Sequence, residues 1–192
     1  MSWSRRRVLT AGGVLAGVSA MGLSAGAASP WRARGAAGGA DAKAGKRIAL
    51  INLHTAERLD IEYSRGGTYV PGALSAIETC LRDFRTGERH TIDPRLMDYL
   101  VDVARAMRVN PAFSVISGYR SPRTNERLRE RSNEVSKHSL HMEGRAIDVR
   151  LADVDCADLA THAQTLSRGG VGYYRASDFV HLDTGAFRTW RG

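Results

Sequence analysis

Two kinds of apolar spacing alternate along residues 46–192, and this alternation constrains the fold more than any other feature of the chain. Apolar and polar side chains alternate with a period of two at 47–53 and 58–63, which predicts two strands. At 74–84 and again at 96–107, apolar side chains recur at the i, i+3, i+4, i+7 spacing of one helix face. The segment therefore begins with two predicted strands followed by two predicted helices.

Strands and helices continue to alternate in the second half of the chain. Residues 113–117, 146–151 and 179–183 are predicted strands, and helices are predicted up to Leu128 and over 157–166. There is no internal repeat, and the helical runs between the strands differ in length. This pattern indicates an α+β domain rather than a doubly wound parallel sheet.

Two helix ends carry local signals. Asp93 can accept a hydrogen bond from a backbone N–H group at the N-cap, and Pro94 suits the first helical position, where a missing donor costs nothing. The pair Gly169-Gly170 predicts the end of the helix over 157–166. These signals predict where one helix begins and where another ends.

The net charge of the chain is +8, a value typical of proteins that neutralise phosphates. However, residues 1–45 hold six Lys or Arg and one Asp, whereas residues 46–192 hold 22 basic and 19 acidic residues and carry only +3. The part that is expected to fold is thus close to neutral, and it has no nucleic-acid recognition motif. We therefore expect no nucleic-acid partner.

Residues 1–28 have the plan of an export signal. A cationic start, Ser4-Arg5-Arg6-Arg7-Val8-Leu9, precedes a weakly apolar stretch at 8–23 that is followed by small residues. The cationic start resembles the twin-arginine export motif. The alternative is a membrane anchor, but the stretch is rich in Gly, Ser and Ala, which gain little from lipid. We expect cleavage near residue 28, export to the periplasm and no stable membrane span in the mature protein.

Residues 29–45 show no apolar period and are rich in Ala and Gly, so we interpret them as a flexible linker. The folded domain is then expected at 46–192. Outside the cytoplasm the two cysteines, Cys80 and Cys156, can form one disulfide or remain a pair of buried thiols. Neither cysteine has the surroundings of a catalytic residue.

The residues with metal-binding chemistry lie in the second half of the chain. His141, in a predicted loop, precedes the strand residue Asp148 by seven positions, and His181 lies in the last predicted strand. Two imidazoles and one carboxylate suit Zn²⁺, and three protein ligands leave a fourth position for water, as in catalytic zinc sites. Gly144 lets the loop turn back onto the strand. These residues predict a catalytic zinc site.

A hydrolytic zinc site also needs a carboxylate base and a cation that stabilises the charge developing on the substrate. Asp178 or Asp183 can supply the base, and Arg120 can supply the cation. A strand period of two places Asp183 on the same face as His181, where it can act as the base or orient a ligand. The residue types alone leave both aspartates open.

Three stretches of the chain, in this order, resemble the zinc D-Ala peptidases related to lysostaphin and hedgehog: Ser117-Gly118-Tyr119-Arg120-Ser121, residues 139–148 and residues 179–185. Within that superfamily, Leu53-His54-Thr55, residues 169–174 and the twin-arginine leader are similar to the murein endopeptidase K group. The resemblance covers roughly residues 47–190. It therefore includes nearly all of the predicted domain.

The resemblance implies a small, mostly antiparallel sheet with helices packed on it and a zinc site in an open cleft. It also implies a periplasmic zinc peptidase that hydrolyses the peptide cross-links of peptidoglycan, with His141, Asp148 and His181 as the zinc ligands. Arg120 matches the family arginine that binds substrate and stabilises charge in the transition state. Many relatives have an acidic residue three positions before the last ligand, and Asp178 stands at that position.

We accordingly predict that Asp178 is the general base and that Asp183 has a supporting role. A base must reach the attacking water without taking a coordination position, and a residue at the entry to the last strand can meet this condition. Asp183 would instead orient His181 or Arg120 through a hydrogen bond.

Two alternatives to a cross-link endopeptidase stay open. One is a non-catalytic domain of the same fold that binds zinc or wall peptide, and the other is a D,D-carboxypeptidase. The sequence also leaves open which cross-link bond is cut and what the oligomeric state is. His138, three positions before His141, is expected to face solvent rather than bind zinc, and His54 lies in a family-like segment without an assigned mechanism.

Overall fold

The computed structural model describes residues 45–110, 112–132 and 135–192. The predicted export signal, and all of the predicted linker except Gly45, lie outside these residues. In the described part of the chain, none of the helices combines the length and the apolar character needed to cross a membrane. These residues form an α+β domain, as predicted, and its single sheet has eight strands, of which five were predicted.

The sheet has the strand order β3-β2-β1-β4-β5-β7-β6-β8. Neighbouring strands are antiparallel except for two parallel pairs, β1 with β4 and β6 with β8. The expectation of a mostly antiparallel sheet is thus confirmed. In chain order the elements are β1 (Lys46–Asn52), β2 (Arg58–Arg65), β3 (Thr68–Tyr69), α1 (Pro71–Cys80), α2 (Pro94–Ala106), β4 (Phe113–Ser117), α3 (Pro122–Arg129), a 3₁₀ helix (Leu140–Glu143), β5 (Ala146–Leu151), α4 (Cys156–Leu166), β6 (Gly170–Tyr174), β7 (Phe179–Asp183) and β8 (Arg188–Arg191).

The core lies between one face of the sheet and helices α1, α2 and α4. Ile147 and Val149 of β5 and Val180 and Leu182 of β7 are fully buried in it. Burial of each such side chain contributes about 1.5–3 kcal/mol. Because side chains alternate along a strand, the residues between them, Asp148 among them, project from the opposite face of the sheet. The packing of these strands thus directs polar side chains to one side.

The start of α2 follows the sequence prediction. Asp93 is the N-cap and accepts a hydrogen bond from the backbone N–H of Arg95, and Pro94 is the first helical residue. The end of α4 differs from the prediction, because the helix stops at Leu166 and Ser167, in a left-handed conformation, ends it before the glycine pair. The glycine pair lies instead at the start of β6.

The first helix is shorter than its apolar period predicted. It ends at Cys80, and the carbonyl oxygen of Leu81 accepts a hydrogen bond from the backbone N–H of Tyr119 at the end of β4. Phe84 therefore lies outside the helix, where its ring stacks on His54 with 3.6 Å between the ring centroids. A contact with a segment distant in sequence overrides the local helical pattern. Cys80 and Cys156 are both buried free thiols.

Candidate metal centre

Asp148 and His181 lie opposite each other on the neighbouring strands β5 and β7, and His141 reaches them from the 3₁₀ helix before β5. His141 Nε2 is 3.2 Å from Asp148 Oδ1 and 3.2 Å from His181 Nδ1, and the latter two atoms are 2.9 Å apart. The structure thus brings all three predicted ligands together. Ligands on tetrahedral zinc, with bonds of about 2.0–2.1 Å, are about 3.3–3.4 Å apart, so this ligand triangle is close to the size that zinc requires.

Both imidazoles turn one ring nitrogen toward the ligand triangle. His141 Nδ1 lies 2.7 Å from the carbonyl oxygen of Gly118, which can only accept, so the proton is on Nδ1 and the lone pair of Nε2 faces the triangle. His181 Nε2 lies 3.0 Å from the carboxylate of Asp183, which leaves Nδ1 facing the triangle. Partners of this kind fix the tautomer and ring orientation of metal-binding histidines.

The electrostatics of the triangle suit a cation. Burial alone would raise the pKa of Asp148, but His141 and His181 hold it well below its usual range. Burial lowers the pKa of His141. Burial would also lower the pKa of His181, but hydrogen bonds to Asp148 and Asp183 outweigh it and raise this pKa to about 8. An ionised carboxylate beside two imidazoles is a donor set for a divalent metal ion.

The loop that carries His141 is anchored on both sides. Gly144 ends the 3₁₀ helix with φ of 64°, and a Cβ atom there would lie 2.0 Å from the carbonyl oxygen of Thr91, so both conformation and space require glycine. The carbonyl of Gly144 accepts a hydrogen bond from the backbone N–H of Asp93. Thr184, which follows β7, donates from its backbone N–H to the carbonyl of Arg145 and from its hydroxyl to Asp93. These bonds connect the loop to α2 and β7.

Arg120 lies beside the ligand triangle, and its backbone N–H donates to the carbonyl of His141. Its guanidinium has only distant partners, because Nη2 is 3.7 Å from Asp148 Oδ2 and the contacts with Ser117 and Asn125 are both 3.4 Å long. Nε has no hydrogen-bond partner among the described residues. The side chain is only 12% exposed, and burial lowers the pKa of Arg120 although Asp148 opposes this shift. A buried guanidinium with unused donors can bind an oxygen atom of a ligand.

A cavity of about 400 Å³ borders the ligand triangle and Arg120. This volume is within the range of ligand-binding pockets. Several residues that line the cavity were not predicted from the sequence, among them Arg188 and Trp190 of strand β8. The alternation of these two residues along the strand was the available signal. His138 also lines the cavity, although it is exposed as expected. The lining residues not assigned from sequence include His138, Leu140, Tyr174, Phe179, Arg188 and Trp190.

Trp190 forms part of the cavity wall next to a ligand. Its ring centroid is 5.2 Å from that of His181, and its Nε1–H donates to the hydroxyl of Tyr174 at 3.0 Å. A Cβ atom on Gly172 would lie 2.4 Å from the indole ring. The absence of a side chain at this position therefore makes room for the tryptophan.

Asp183 is fully buried on the side of His181 that faces away from the ligand triangle. Besides His181, its carboxylate accepts hydrogen bonds from the guanidinium of Arg188 and from the backbone N–H groups of Gly170 and Gly185. Burial would raise the pKa of Asp183, but the bonds from His181 and Arg188 hold it well below its usual range. The carboxylate has donors around both oxygens.

Asp178 lies in the turn between β6 and β7, where it adopts a left-handed conformation with φ of 52°. Its neighbours Ser177 and Phe179 line the cavity. The Asp178 side chain is 66% exposed, and Oδ2 is 3.2 Å from the guanidinium of Arg150. Asp178 itself does not line the cavity among the described residues, and its carboxylate is engaged by an arginine.

Comparison with known proteins identifies the family. The sequence profile of the family described as "Peptidoglycan L,D-endopeptidase MepK" matches residues 40–190. The chain belongs to the MepK family. It is 39% identical over 146 residues to the probable peptidoglycan L,D-endopeptidase MepK of Haemophilus influenzae, covering 76% of this chain and 78% of the relative. It is 38% identical over 143 residues to MepK of Escherichia coli, covering 74% and 79%.

No solved structure matches the chain. The family assignment confirms the resemblance to the murein endopeptidase K group that was drawn from short stretches of sequence. The MepK match spans the described ligand triangle, the cavity and Arg120.

Proposed function

We propose that this protein is a zinc-dependent endopeptidase that hydrolyses peptide cross-links of peptidoglycan. Membership of the MepK family supports the reaction and the substrate, since the relatives are named for this activity. One observation supports the metal. His141, Asp148 and His181 direct three atoms toward one another within 3.2 Å, and hydrogen bonds at the far ring nitrogens already orient both imidazoles.

The donor set favours zinc as the ion. Two imidazoles and one carboxylate are the ligands of many catalytic zinc sites, whereas magnesium and calcium prefer sites made of oxygen atoms. When bound, the ion would polarise the scissile carbonyl and activate a water molecule. The three side chains would hold it at the cavity wall, where substrate can approach.

Arg120 would stabilise the negative charge that develops on the carbonyl oxygen of the substrate. Its guanidinium borders the ligand triangle, is nearly buried and keeps unused donors. Donors that are in place before the reaction lose little free energy through reorganisation, and removal of one such donor typically costs about 100–1,000-fold in rate. The paucity of strong protein partners for Arg120 supports this role.

For the base, we propose that Asp178 accepts the proton of the attacking water. The neighbours of Asp178, Ser177 and Phe179, line the cavity. Among the described residues that line the cavity, the carboxylate belongs to Asp148, which is already a proposed ligand. This role requires the carboxylate of Asp178 to leave Arg150 when substrate binds. Asp183 is a poorer base, because it contacts the far nitrogen of His181 and has donors around both oxygens. Its role would be to orient His181.

We also propose that the bond cut is the L,D bond between two diaminopimelate residues. The relatives are named L,D-endopeptidases. A wall cross-link can join two diaminopimelate residues or join D-Ala to diaminopimelate. The first bond runs from an L-centre to a D-centre, whereas the second runs between D-centres. The substrate would then be a cross-link inside the wall, and the enzyme would act in the periplasm after export directed by residues 1–28.

The decisive experiment is digestion of purified cross-linked muropeptides. We expect the protein to convert dimers joined through two diaminopimelate residues into monomers, to lose this activity in chelator and to regain it with zinc. Dimers joined through D-Ala serve as the matched substrate control. Zinc binding without release of monomers from either dimer would indicate a non-catalytic binding domain instead.

The base and the export route have separate tests. In zinc-loaded protein, Asp178→Asn should abolish turnover, and near-normal turnover of that variant would overturn the assignment of the base.

Replacement of Arg5 and Arg6 by lysine should leave the protein in the cytoplasm if the twin-arginine route is used. Normal export of this double variant would indicate the general secretory route.

A further inference from the structure

Arg85 has an unusual environment for a surface arginine. Its guanidinium carbon lies 4.1 Å from the ring centroid of Phe84, and the ring of His54 lies 3.6 Å from that of Phe84 at an interplanar angle of 12°. His54, Phe84 and Arg85 thus form a three-layer stack, which we call the Arg85 stack. Contact with an aromatic ring restricts the guanidinium to one plane while its N–H groups remain available at the edge.

Hydrogen bonds of Asn52 fix the backbone of the turn that carries His54. Asn52 is buried, and its side chain accepts hydrogen bonds from the backbone N–H groups of His54 and Thr55 while donating to the carbonyl of Cys80. This connects the turn after β1 to the end of α1. The stack is therefore preorganised by the fold, and a bound ligand would lose little side-chain entropy in ordering it.

The guanidinium of Arg85 has no hydrogen bond or ion pair with any other described residue, and the side chain is exposed. Other arginines, such as Arg82 and Arg95, pair with a carboxylate of the protein. A fixed guanidinium without an acceptor is suited to bind a carboxylate from outside the protein, through two parallel N–H···O bonds.

The Arg85 stack is next to Arg120. Asp83 is buried, and one of its oxygens accepts a hydrogen bond from the backbone N–H of Arg85 while the other accepts from the backbone and hydroxyl of Ser121. Residues 85 and 121 therefore lie on two sides of one carboxylate. The charge of Arg85 is also close enough to lower the pKa of Arg120, after the larger effect of burial. The backbone of Arg85 and the residue after Arg120 are thus held by one carboxylate, and both arginines have unused guanidinium donors.

We propose that Arg85 binds a free carboxylate of the cross-linked wall peptide and so extends the substrate site beyond the cavity. This inference rests on the proposed function, because it places the carboxylate on the peptide whose cross-link is cut. It gives the Leu53-His54-Thr55 segment a role, which is to support the Phe84 ring on which Arg85 lies. Arg85 is a substrate-binding residue, and His54 and Phe84 are positioning residues.

The test compares two substrates, a cross-linked muropeptide dimer with free carboxylates and the same dimer with its carboxylates amidated. We expect the wild-type protein to show a lower KM for the free form. Arg85→Gln should reduce this preference about 10-fold, as expected for the loss of a hydrogen bond between charged groups. Phe84→Leu should reduce it less, because the guanidinium is then mobile but present. Zinc content should be unchanged in both variants.

Arg58→Gln is the matched control, since Arg58 is an exposed arginine on β2 and the substitution removes the same charge. It should leave the preference unchanged. An equal loss with Arg58→Gln, or an unchanged preference in Arg85→Gln, would overturn the proposal. If wild-type protein cleaved neither dimer, the proposed function would fail. In that case, calorimetry would measure the binding of both dimers to the wild-type protein and to Arg85→Gln. Equal affinity of the two proteins for the dimer with free carboxylates would overturn the proposed role of Arg85.

Discussion

Two walls of the same cavity differ in how completely their polar groups are used. On the ligand wall, His141 has the Gly118 carbonyl, His181 has Asp183, and Asp183 has donors around both oxygens. On the arginine wall, the guanidinium of Arg120 has only contacts of 3.4 Å or longer and an Nε without a described partner. On the ligand wall, the polar atoms have hydrogen-bond partners except for the three atoms that face one another. On the arginine wall, guanidinium donors are left without close partners.

The ligand wall has the features of a site for the proposed metal ion, and the arginine wall has the features of a site for a substrate. A metal site needs its ligands oriented in advance, because each ligand must present one atom at a fixed place. A substrate-binding cation needs donors that other protein groups do not consume. The following predictions test whether the two walls can be separated in this way.

The largest effect is expected from loss of a ligand. His141→Ala should remove the bound zinc and lower kcat/KM by at least about 1,000-fold, because polarisation by a metal ion contributes several kcal/mol. Metal analysis and muropeptide digestion measure the two effects. His138→Ala is the matched control, since His138 lines the cavity but does not belong to the ligand triangle, and it should retain zinc. Full metal content in His141→Ala would contradict the ligand assignment.

Loss of Arg120 should separate the two walls. Arg120→Ala should lower kcat by about 100–1,000-fold and leave the zinc content unchanged. Arg120→Lys should recover part of the rate, because the charge is kept while the planar fork is lost. Turnover with excess zinc, together with metal analysis, provides the comparison. If Arg120→Ala lost its zinc, the arginine wall would have to be regarded as part of the metal site.

Asp183→Asn tests the support of the ligand wall. An amide can still accept a hydrogen bond from His181. It lacks the negative charge that Arg188 and the backbone N–H groups of Gly170 and Gly185 stabilise. We expect zinc affinity to fall about 10–100-fold and turnover to recover at high zinc concentration. Competition with a chelator measures the affinity. A variant that stays inactive while fully loaded would instead make Asp183 the base.

The smallest effect on catalysis is expected from Asp83, which accepts hydrogen bonds from the backbone next to Arg120 and does not contact the cavity. Burial would raise the pKa of Asp83, but bonds from Thr124, Ser121 and the backbone of Arg85 lower it to about 2. Its charge therefore stabilises the fold above about pH 4, and the contribution is lost as the pH falls toward 2. Asp83→Asn should lower the free energy of unfolding by roughly 2 kcal/mol at neutral pH.

Urea unfolding at several pH values measures this effect. The difference between wild type and Asp83→Asn should shrink as the pH falls from about 4 toward 2, while the nearby Arg85 and Arg120 keep their charges. Asp60→Asn is a suitable control, because Asp60 is in an exposed pair with Arg47, and such pairs contribute about 0–1 kcal/mol. A difference that does not change with pH would exclude the charge of Asp83 as its cause.

Residue types and their order were enough to predict much of the site. His141, Asp148 and His181 come together because two of them lie in strands whose apolar alternation is strong, and that alternation determines the face on which each side chain lies. The strands at 113–117, 146–151 and 179–183 were predicted with the bounds that the structure shows. In these elements local pattern and tertiary packing agree.

The remainder depends on contacts between distant segments. Strand β3 has two residues, and β6 reads Gly-Val-Gly-Tyr-Tyr without a clear alternation, so both exist because of the strands they pair with. The end of α1 depends on the bond between Leu81 and Tyr119. The unused donor of Arg120 could not be predicted either, because it becomes evident only when all neighbouring side chains have their positions.

The space left by Gly172 has a consequence for how this protein tolerates mutation. The hydrogen atom on its Cα faces an indole ring that Tyr174 holds in place, so even alanine would displace Trp190 from the edge of His181. In a library of random substitutions, position 172 should therefore score among the least tolerant positions. It would be grouped with the proposed metal ligands although it has no side chain that could touch either a metal ion or the peptide.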